Sequence, residues 1–240
     1  MLGLLAKKLG QTRVYDARGN LAHVTILVAG PNYVIQCKRR ETDGYDAVQL
    51  GFDPQKESRL TKPLLGHLKK FKGAAVKRIR EFRDFSLAVE PGAQLGPNVF
   101  AVGDFVDVIG LTKGRGFEGV VKRHHFRGGD LSHGAKGWHR RPGAIGQRLF
   151  PGTVRRGMRM PGHMGQARRT VQNLEVVQVR PEENLLLVKG AIPGANGDYV
   201  VIREAKKRSR AIMAERKRKA AEAKARAEAK KDSKGGKSAK

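Results

Sequence analysis

The sequence predicts a mostly β protein with a small α+β insertion, a long irregular basic loop and a basic C-terminal tail. Short segments rich in β-branched residues recur at both ends of the chain, separated by turn residues, and their spacing is typical of an antiparallel barrel or sandwich. Between them, residues 113–169 sustain no helical or strand periodicity. Residues 206–240 are dominated by Ala, Lys, Arg, Glu and Ser, which marks a low-complexity tail.

The N-terminal part is predicted to supply the first strands. Residues 3–15 are expected to form two short strands around a Lys-Lys-Leu-Gly corner. A cluster of turn residues follows at 16–20, since Asp, Gly and Asn favour turns. Three further strands are predicted at residues 21–28, 33–38 and 47–52.

Residues 53–98 change character and are interpreted as a small α+β insertion on the body. Pro63 suits the first turn of a helix and predicts a short helix over the residues that follow it. The alternation in residues 76–85 fits neither a strict strand period nor a helical one, so both structures remain open there. A strand is predicted again at residues 105–111.

The C-terminal part is predicted to complete the body. Residues 170–179 and 185–189 are expected to form a hairpin, and residues 199–203 a last strand. The body is therefore assigned to residues 1–112 and 170–205. The tail, residues 206–240, favours a helix up to about residue 231 and disorder beyond it. Because it has no apolar stripe, we interpret it as a solvated tail, and its many Lys and Arg side chains would add non-specific affinity for a polyanion such as RNA.

The net charge of +27 is concentrated in two segments. Residues 113–169 have 14 basic and two acidic side chains, and residues 206–240 have 15 basic and four acidic ones. These segments have net charges of +12 and +11, whereas the other 148 residues together have +4. A nearly neutral body with two strongly basic segments is typical of a protein that binds nucleic acid.

The composition also indicates in which cell compartment the protein is expected. Cys37 is the single cysteine, so no internal disulfide can form, and we interpret it as a small apolar strand residue and not as a nucleophile. No stretch of 18 consecutive apolar residues predicts a membrane span. The N-terminus is apolar first and basic afterwards, the reverse of a secretory signal. A cytoplasmic protein without membrane contact is expected.

The basic loop, residues 113–169, contains 13 of the 30 glycines and five of the seven histidines. Its few clustered apolar residues cannot offset the entropy of ordering so long a segment. A disordered linker, however, has no need of the Phe126, Trp138, Ile145 and Phe150 side chains spaced among the arginines. Since loops of this length are usually functional or disordered, we interpret this one as a segment that folds against a polyanion.

Glycines 114, 116 and 119 match the G-x-G-x-x-G pattern of dinucleotide-binding proteins and follow a predicted strand. That site also requires a helix within a βαβ unit and an acidic residue about 20 positions later. No Asp or Glu lies between Asp130 and Glu175. We therefore favour a glycine-rich turn whose main-chain amides approach a phosphate.

Metal binding and catalysis are the next alternatives. The histidines of the loop have no nearby cysteine or carboxylate to complete a tetrahedral zinc site, and their spacing matches no zinc finger. Ser132 and His133 lack an orienting acid, and the two isolated carboxylates cannot act together in acid–base catalysis. No metal, cofactor, small-molecule substrate or enzymatic activity is therefore expected. We interpret the histidines as groups that stack on bases or hydrogen-bond to RNA.

Arginine outnumbers lysine in the loop, and its planar guanidinium pairs with phosphate through two hydrogen bonds and stacks on bases. Trp138, two residues before Arg140, is predicted either to stack on a single-stranded base or to pack the loop on the body, and both remain open. Glycine and proline at 142–143, 151–152 and 161–162 permit tight turns and close approach of the backbone.

Eight motifs occur in order over about residues 1–205: GLLAKKLGQTRVY, DGYDAVQLGF, TKPLLGHLKK, TKGRGFEGVVKRHHFRGG, SHG, HRRPGAIGQ, PGTVRRGMRMPGHMG and TVQNLEVVQVRPEENLLLVKGAIPGANG. Together they resemble the bacterial form of the universal large-subunit ribosomal protein L3 family. The tail beyond residue 206 resembles an extension that shorter members lack.

The resemblance implies a six-stranded barrel of the translation-protein type with an inserted α+β piece. It also implies a loop that penetrates the ribosomal RNA towards the peptidyl transferase centre. Its tip is implied at Gly146, Gln147 and Arg148, where Arg148 replaces the asparagine of a relative. Some bacterial members have a methylated glutamine at the position of Leu149, so this modification is not expected here.

The sequence therefore predicts a non-enzymatic, structural protein of the large ribosomal subunit that binds large-subunit (23S) ribosomal RNA and nucleates assembly in the cytoplasm. Neighbouring ribosomal proteins are the other expected partners. Two alternatives remain: an RNA-modifying enzyme or nucleotide-dependent factor, and a general packaging protein for DNA or RNA. The predicted RNA-binding residues are Lys113, Arg115, Lys122, Arg123, His124, His125, Arg127, Lys136, Trp138, His139, Arg140, Arg141, Gln147, Arg148, Arg155, Arg156, Arg159, His163, Arg168 and Arg169.

Overall fold

The computed structural model describes residues 1–15, 19–71, 74–209 and 212–213. The chain divides into two compact units. The first, which we call the barrel unit, combines Met1–Gly110 with the described residues from Thr170 onwards, and the second, the basic unit, is Leu111–Arg169.

The described residues form twelve strands and three α helices. The strands are β1 Gly3–Tyr15, β2 Leu21–Val28, β3 Asn32–Lys38, β4 Ala47–Pro54, β5 Val76–Arg83, β6 Gln94–Leu95, β7 Phe105–Leu111, β8 Phe117–Glu118, β9 Gly162–His163, β10 Arg168–Arg180, β11 Leu185–Lys189 and β12 Tyr199–Glu204. The helices are α1 Arg40–Asp43, α2 Lys62–Lys70 and α3 Val120–His124, and 3-10 turns lie at Glu57–Arg59 and Pro97–Val99.

Six strands close into a barrel in the order β1-β12-β7-β10-β11-β2. The mostly β fold with a six-stranded barrel is thus confirmed, and the choice between barrel and sandwich is settled. Strands from both ends of the chain meet at β1 and β12, which pair antiparallel. Leu27 of β2 lies opposite Leu186 of β11, and both side chains are fully buried in the core. Closure leaves no unpaired edge, because every barrel strand has two partners.

The structure corrects the expectation for residues 3–15, which form one strand and not two strands around a corner. The pairing of β1 with β2 shifts register between Lys8 and Gly10, a bulge that bends a strand without ending it. Lys8 is buried at this point, and its Nζ donates to the carbonyl oxygens of Ile192 and Gly194, each at 2.9 Å. The Lys-Lys-Leu-Gly sequence therefore marks a bulge.

A second sheet has the strand order β5-β4-β3-β6. The strands predicted at 33–38 and 47–52 belong to this sheet and not to the barrel, which corrects their assignment. Residues 76–83, left open between helix and strand, form β5. Pro63 lies in the first turn of α2, as predicted. Ile35, Leu68 and Val76 are buried together, so α2 packs against this sheet.

Asn32 connects the second sheet to the barrel. It is fully buried, and its Oδ1 accepts a hydrogen bond from the Leu5 amide at 3.0 Å. Its Nδ2 donates to the carbonyl oxygens of Leu5 and Ala29, each at 3.0 Å. Because a buried polar group without partners costs about 1–3 kcal/mol, these three bonds fix where β3 begins relative to β1.

Cys37 lies in β3, with its Sγ 3.3 Å from the Val89 carbonyl oxygen, and burial raises the pKa of its thiol. A raised pKa lowers the thiolate fraction at neutral pH, which fits the interpretation of Cys37 as a packing residue. No helix in the described part of the chain is long and apolar enough to cross a membrane. The predictions for residues 16–18 and for most of the tail fall outside the described residues.

Candidate nucleic-acid interface

Main-chain hydrogen bonds join the two ends of the basic unit, and we call this region the base of the unit. The Arg115 amide donates to the Met164 carbonyl oxygen at 2.8 Å, and the Met164 amide donates to the Gly116 carbonyl oxygen at 2.9 Å. Strands β8 and β9 continue this antiparallel pairing. The two ends of a long irregular segment are thus brought together by contacts that do not depend on side-chain type.

Close approach at this base requires glycine at position 165. Gly165 has a φ of +79°, and a Cβ atom there would lie 2.1 Å from the Lys113 carbonyl oxygen. A side chain would therefore force the two arms apart, and the left-handed backbone itself favours glycine.

Three predicted RNA-binding residues are half-buried and bind main-chain carbonyl groups of the basic unit. Arg123 Nη1 donates to the Met160 carbonyl oxygen at 2.8 Å, and His124 Nε2 lies 3.1 Å from the same oxygen. His139 Nδ1 lies 2.8 Å from the carbonyl oxygen of Asp130. These side chains hold together parts of the loop that are distant in sequence.

The other seventeen predicted residues are exposed. Every residue of the basic unit is described, and only Val120 is buried, so the unit does not form a protein core of its own. The exposed residues are Lys113, Arg115, Lys122, His125, Arg127, Lys136, Trp138, Arg140, Arg141, Gln147, Arg148, Arg155, Arg156, Arg159, His163, Arg168 and Arg169.

The positive charge of this unit is almost unpaired. Of the ion pairs between described residues, one lies in the basic unit, where Lys122 Nζ is 2.6 Å from Glu118 Oε1. With a net charge of +12, the remaining cations repel one another without compensation from acidic neighbours. This field favours an anionic ligand.

Large apolar side chains are exposed among these cations. Leu131, Leu149 and Phe150 are 89–90% exposed. The exposure of the two leucines could not be predicted from the sequence, because no periodicity marks which residues of an irregular loop face solvent. The exposed set in residues 113–169 is Phe117, Leu131, Trp138, Ile145, Leu149, Phe150, Val154 and Met158.

The glycine pattern at 114–119 does not form a dinucleotide site. Strand β7 precedes it, but α3 has only five residues, and β8 and β9 beside it pair antiparallel. A βαβ unit requires parallel strands. Among the described residues, no group of three His, Cys, Asp or Glu side chains is placed to hold a metal ion.

Trp138 is 55% exposed, and the Cζ atom of Arg141 lies 4.6 Å from the centre of its ring. Packing of this side chain in a core would require a buried ring. An exposed indole stacked on a guanidinium instead favours the alternative interpretation, a platform for a base.

Sequence reasoning missed a basic cluster of the barrel unit, in which three cations surround Tyr199. Lys7 Nζ, Lys77 Nζ and Arg78 Cζ lie 6.0, 5.6 and 4.8 Å from its ring centre. Its hydroxyl donates to the Asp53 carboxylate, and burial raises the pKa of Tyr199. The five residues come from four different strands, so no sequence signal joins them.

Comparison with known sequences relates the chain to one family. A sequence profile of the family described as Ribosomal protein L3 matches residues 72–185, which include the whole basic unit. The large ribosomal subunit protein uL3 of Deinococcus radiodurans is 50% identical over 211 residues, which cover 88% of this chain and 98% of the relative. Proteins of the same name from Brachyspira pilosicoli and Akkermansia muciniphila are each 47% identical, over 88% and 86% of this chain and 97% and 99% of their own lengths.

Proposed function

This chain belongs to the ribosomal protein L3 family, and we propose that it is a structural constituent of the large ribosomal subunit that binds ribosomal RNA through its basic unit, Leu111–Arg169. The main support is that a unit with 14 basic residues exposes most of its residues and fully buries one. Such a surface is suited to a ligand that surrounds it.

The charge of the basic unit supports a polyanion as that ligand. Arginines dominate, and those at positions 140, 141, 155 and 156 are exposed in adjacent pairs. Each pair can bind two neighbouring phosphates, and the guanidinium fork fits phosphate better than an ammonium group does. Release of condensed counterions from the RNA then favours binding, and it also makes the affinity depend on salt.

The exposed apolar side chains support RNA over a simple polyphosphate. Phe150 and Leu149 are each 90% exposed, and exposure of such residues to water is unfavourable by about 25 cal/mol per Å² of apolar surface. Nucleobases offer flat apolar faces that cover aromatic and aliphatic groups, whereas phosphates do not. A folded RNA therefore satisfies both the charged and the apolar side chains.

The roles of the loop tip and of early RNA binding are proposed from the family. The tip residues Gly146, Gln147 and Arg148, all exposed, reach towards the peptidyl transferase centre, and early binding of the chain nucleates assembly of the subunit. Leu149 has no side-chain amide, so the tip functions without a methylated glutamine at this position. The protein acts in the cytoplasm, without catalysis, and neighbouring ribosomal proteins contact its barrel unit.

The test replaces the two arginine pairs by glutamate in the full chain, R140E/R141E/R155E/R156E, supplied as the sole copy in cells. We expect precursor particles to accumulate and mature large subunits to decrease in a sucrose gradient. A control variant, R39E/R40E/R59E/R180E, changes the charge equally at exposed positions of the barrel unit and should leave the gradient unchanged. Normal subunits that contain the loop variant after a high-salt wash would refute the proposal.

Two further measurements separate the alternatives. A nucleotide-dependent enzyme predicts saturable binding of a small cofactor to the purified chain. A packaging protein predicts that DNA and large-subunit RNA of equal length compete equally at moderate salt, whereas a specific ribosomal protein prefers the RNA. Preference for the RNA without cofactor binding is the result that we expect.

A further inference from the structure

Residues 126–143 of the basic unit enclose an open cleft of about 270 Å³. One wall comes from Phe126 and Arg127, and the other comes from Trp138, Arg141 and Pro142. Two glycines, at positions 128 and 129, also line it, so part of the lining is bare backbone. The cleft thus combines aromatic and apolar walls with two cations.

Main-chain contacts hold the two walls together. The Gly129 amide donates to the His139 carbonyl oxygen at 3.1 Å. A Cβ atom on Gly128 would lie 2.2 Å from that oxygen, and one on Gly129 would lie 2.8 Å from the Trp138 carbonyl oxygen. The His139 ring adds its bond to the Asp130 carbonyl. Because the walls are joined by backbone, the cleft exists before a ligand binds, which lowers the entropy cost of binding.

The pair of Trp138 and Arg141 provides a flat platform at this cleft. The guanidinium stacks on the indole at 4.6 Å, and the Arg141 amide also bonds to the Trp138 carbonyl oxygen at 3.3 Å. Both side chains remain exposed. Aromatic rings and guanidinium planes are the groups on which unstacked bases stack in RNA complexes.

We propose that this cleft binds one unstacked nucleobase of an RNA strand, stacked on the platform of Trp138 and Arg141, with the adjacent phosphate bound by Arg127. The inference rests on the proposed RNA-binding function and specifies which part of the RNA this site recognises. A base inside a regular duplex cannot enter, because its faces are already stacked on its neighbours. The ligand is therefore a nucleotide in a loop, a bulge or a single strand.

The experiment uses the fact that Trp138 is the only tryptophan of the chain, so that its fluorescence reports on this site alone. The full-length protein is titrated with a single-stranded RNA of about ten nucleotides, an abasic strand of equal length and an RNA duplex of equal charge. We expect the single strand to quench the emission and the abasic strand and duplex to leave it unchanged. Binding of each probe is measured separately by gel mobility shift.

Substitutions test the platform. W138A is expected to weaken binding of the single strand about tenfold while leaving binding of the abasic strand unchanged, and W138F, which retains a ring, restores most of the affinity. R141A should reduce the quenching, whereas R59A, which removes an equal charge from the barrel unit, should not.

The outcomes distinguish base recognition at the cleft from RNA binding by the chain as a whole. If the single strand binds without quenching, or if the abasic strand quenches equally, base recognition at this cleft is refuted and RNA binding stands. If neither the RNA probes nor large-subunit RNA binds to the protein, the proposed function itself is refuted.

Discussion

Neutralising four exposed arginines should lower the salt dependence of RNA binding by a calculable amount. Arginines 140, 141, 155 and 156 are exposed, and none of them takes part in an ion pair between described residues. None of them is therefore neutralised by an acidic side chain, and each can bind a phosphate through its guanidinium N–H groups. Since one phosphate contact contributes about 0.7–0.9 to the slope of log K against log salt, R140Q/R141Q/R155Q/R156Q should reduce the slope by about 3. At about 0.15 M salt the same change corresponds to a loss of affinity of roughly 10²- to 10³-fold.

The assay is a titration of labelled large-subunit RNA with the full chain at several salt concentrations between about 50 and 200 mM. A control variant, R39Q/R40Q/R59Q/R180Q, lowers the net charge from +27 to +23 as well, but at exposed sites of the barrel unit. Its slope should stay close to that of the unmodified chain. Thermal unfolding of both variants checks that the barrel is intact.

Two results would refute this reasoning. If both variants reduce the slope equally, the affinity arises from total charge, as for a general packaging protein, and not from the basic unit. If the loop variant keeps the original slope, its arginines do not contact phosphates, and their exposure has another cause.

Three further predictions concern stability. N32A, which removes three buried hydrogen bonds of Asn32, should lower the free energy of unfolding by about 3 kcal/mol in a urea titration. G165A should speed hydrogen exchange of the amides at the base of the basic unit. The control G157A should not, because Gly157 has a similar φ of +81° but no atom lies within 4 Å of the position of its added Cβ. Equal exchange rates in the two variants would contradict the close-approach argument. The hydrogen bond from Lys38 lowers the pKa of Glu81, so the stabilisation by Glu81 is present at neutral pH and lost as the pH falls below the ordinary Glu range, about 4.3. The difference in unfolding free energy between the original chain and E81Q should therefore shrink towards zero in acid, and a constant difference would contradict it.

Strands bounded by clear turn residues could be predicted from the sequence. Leu21–Val28, Phe105–Leu111 and Leu185–Lys189 have the predicted bounds, because each is a mainly apolar run that lies between segments containing turn-forming or charged residues. The helix over Lys62–Lys70 was predicted from its proline. The six-stranded closure, by contrast, came from the family resemblance.

Pairing partners could not be predicted from local sequence. β3 and β4 show the same apolar signals as the barrel strands, yet they pair with β5 and β6. Which sheet a strand joins depends on contacts distant in sequence, such as those of Asn32, and no periodicity encodes them. The bulge in β1 was misread as a corner for a related reason, since Gly10 suits either structure.

The composition of the basic unit predicts an RNA ligand, but it does not predict the role of each residue. Arg123 and His124 bind the Met160 carbonyl group, whereas Arg115 and His125 are exposed. In a regular helix or strand, the division between side chains that face the protein and those that face solvent follows from the helical or strand period, but an irregular loop has no period. The stacking of Arg141 on Trp138 was likewise visible only in three dimensions.

The way in which the basic unit is held explains why so much of it is available to a ligand. Its restraints are main-chain hydrogen bonds, as between Arg115 and Met164, close backbone approaches at glycines such as Gly128 and Gly165, and a few side-chain bonds to carbonyl groups, such as that of Arg123. Such contacts fix the path of the chain and leave most side chains exposed, whereas a hydrophobic core would have to bury residues such as Phe150. A segment held in this way loses less entropy on binding than a disordered one and still offers its charged and apolar groups to the partner. Its low self-burial is therefore what the proposed large interface with RNA requires.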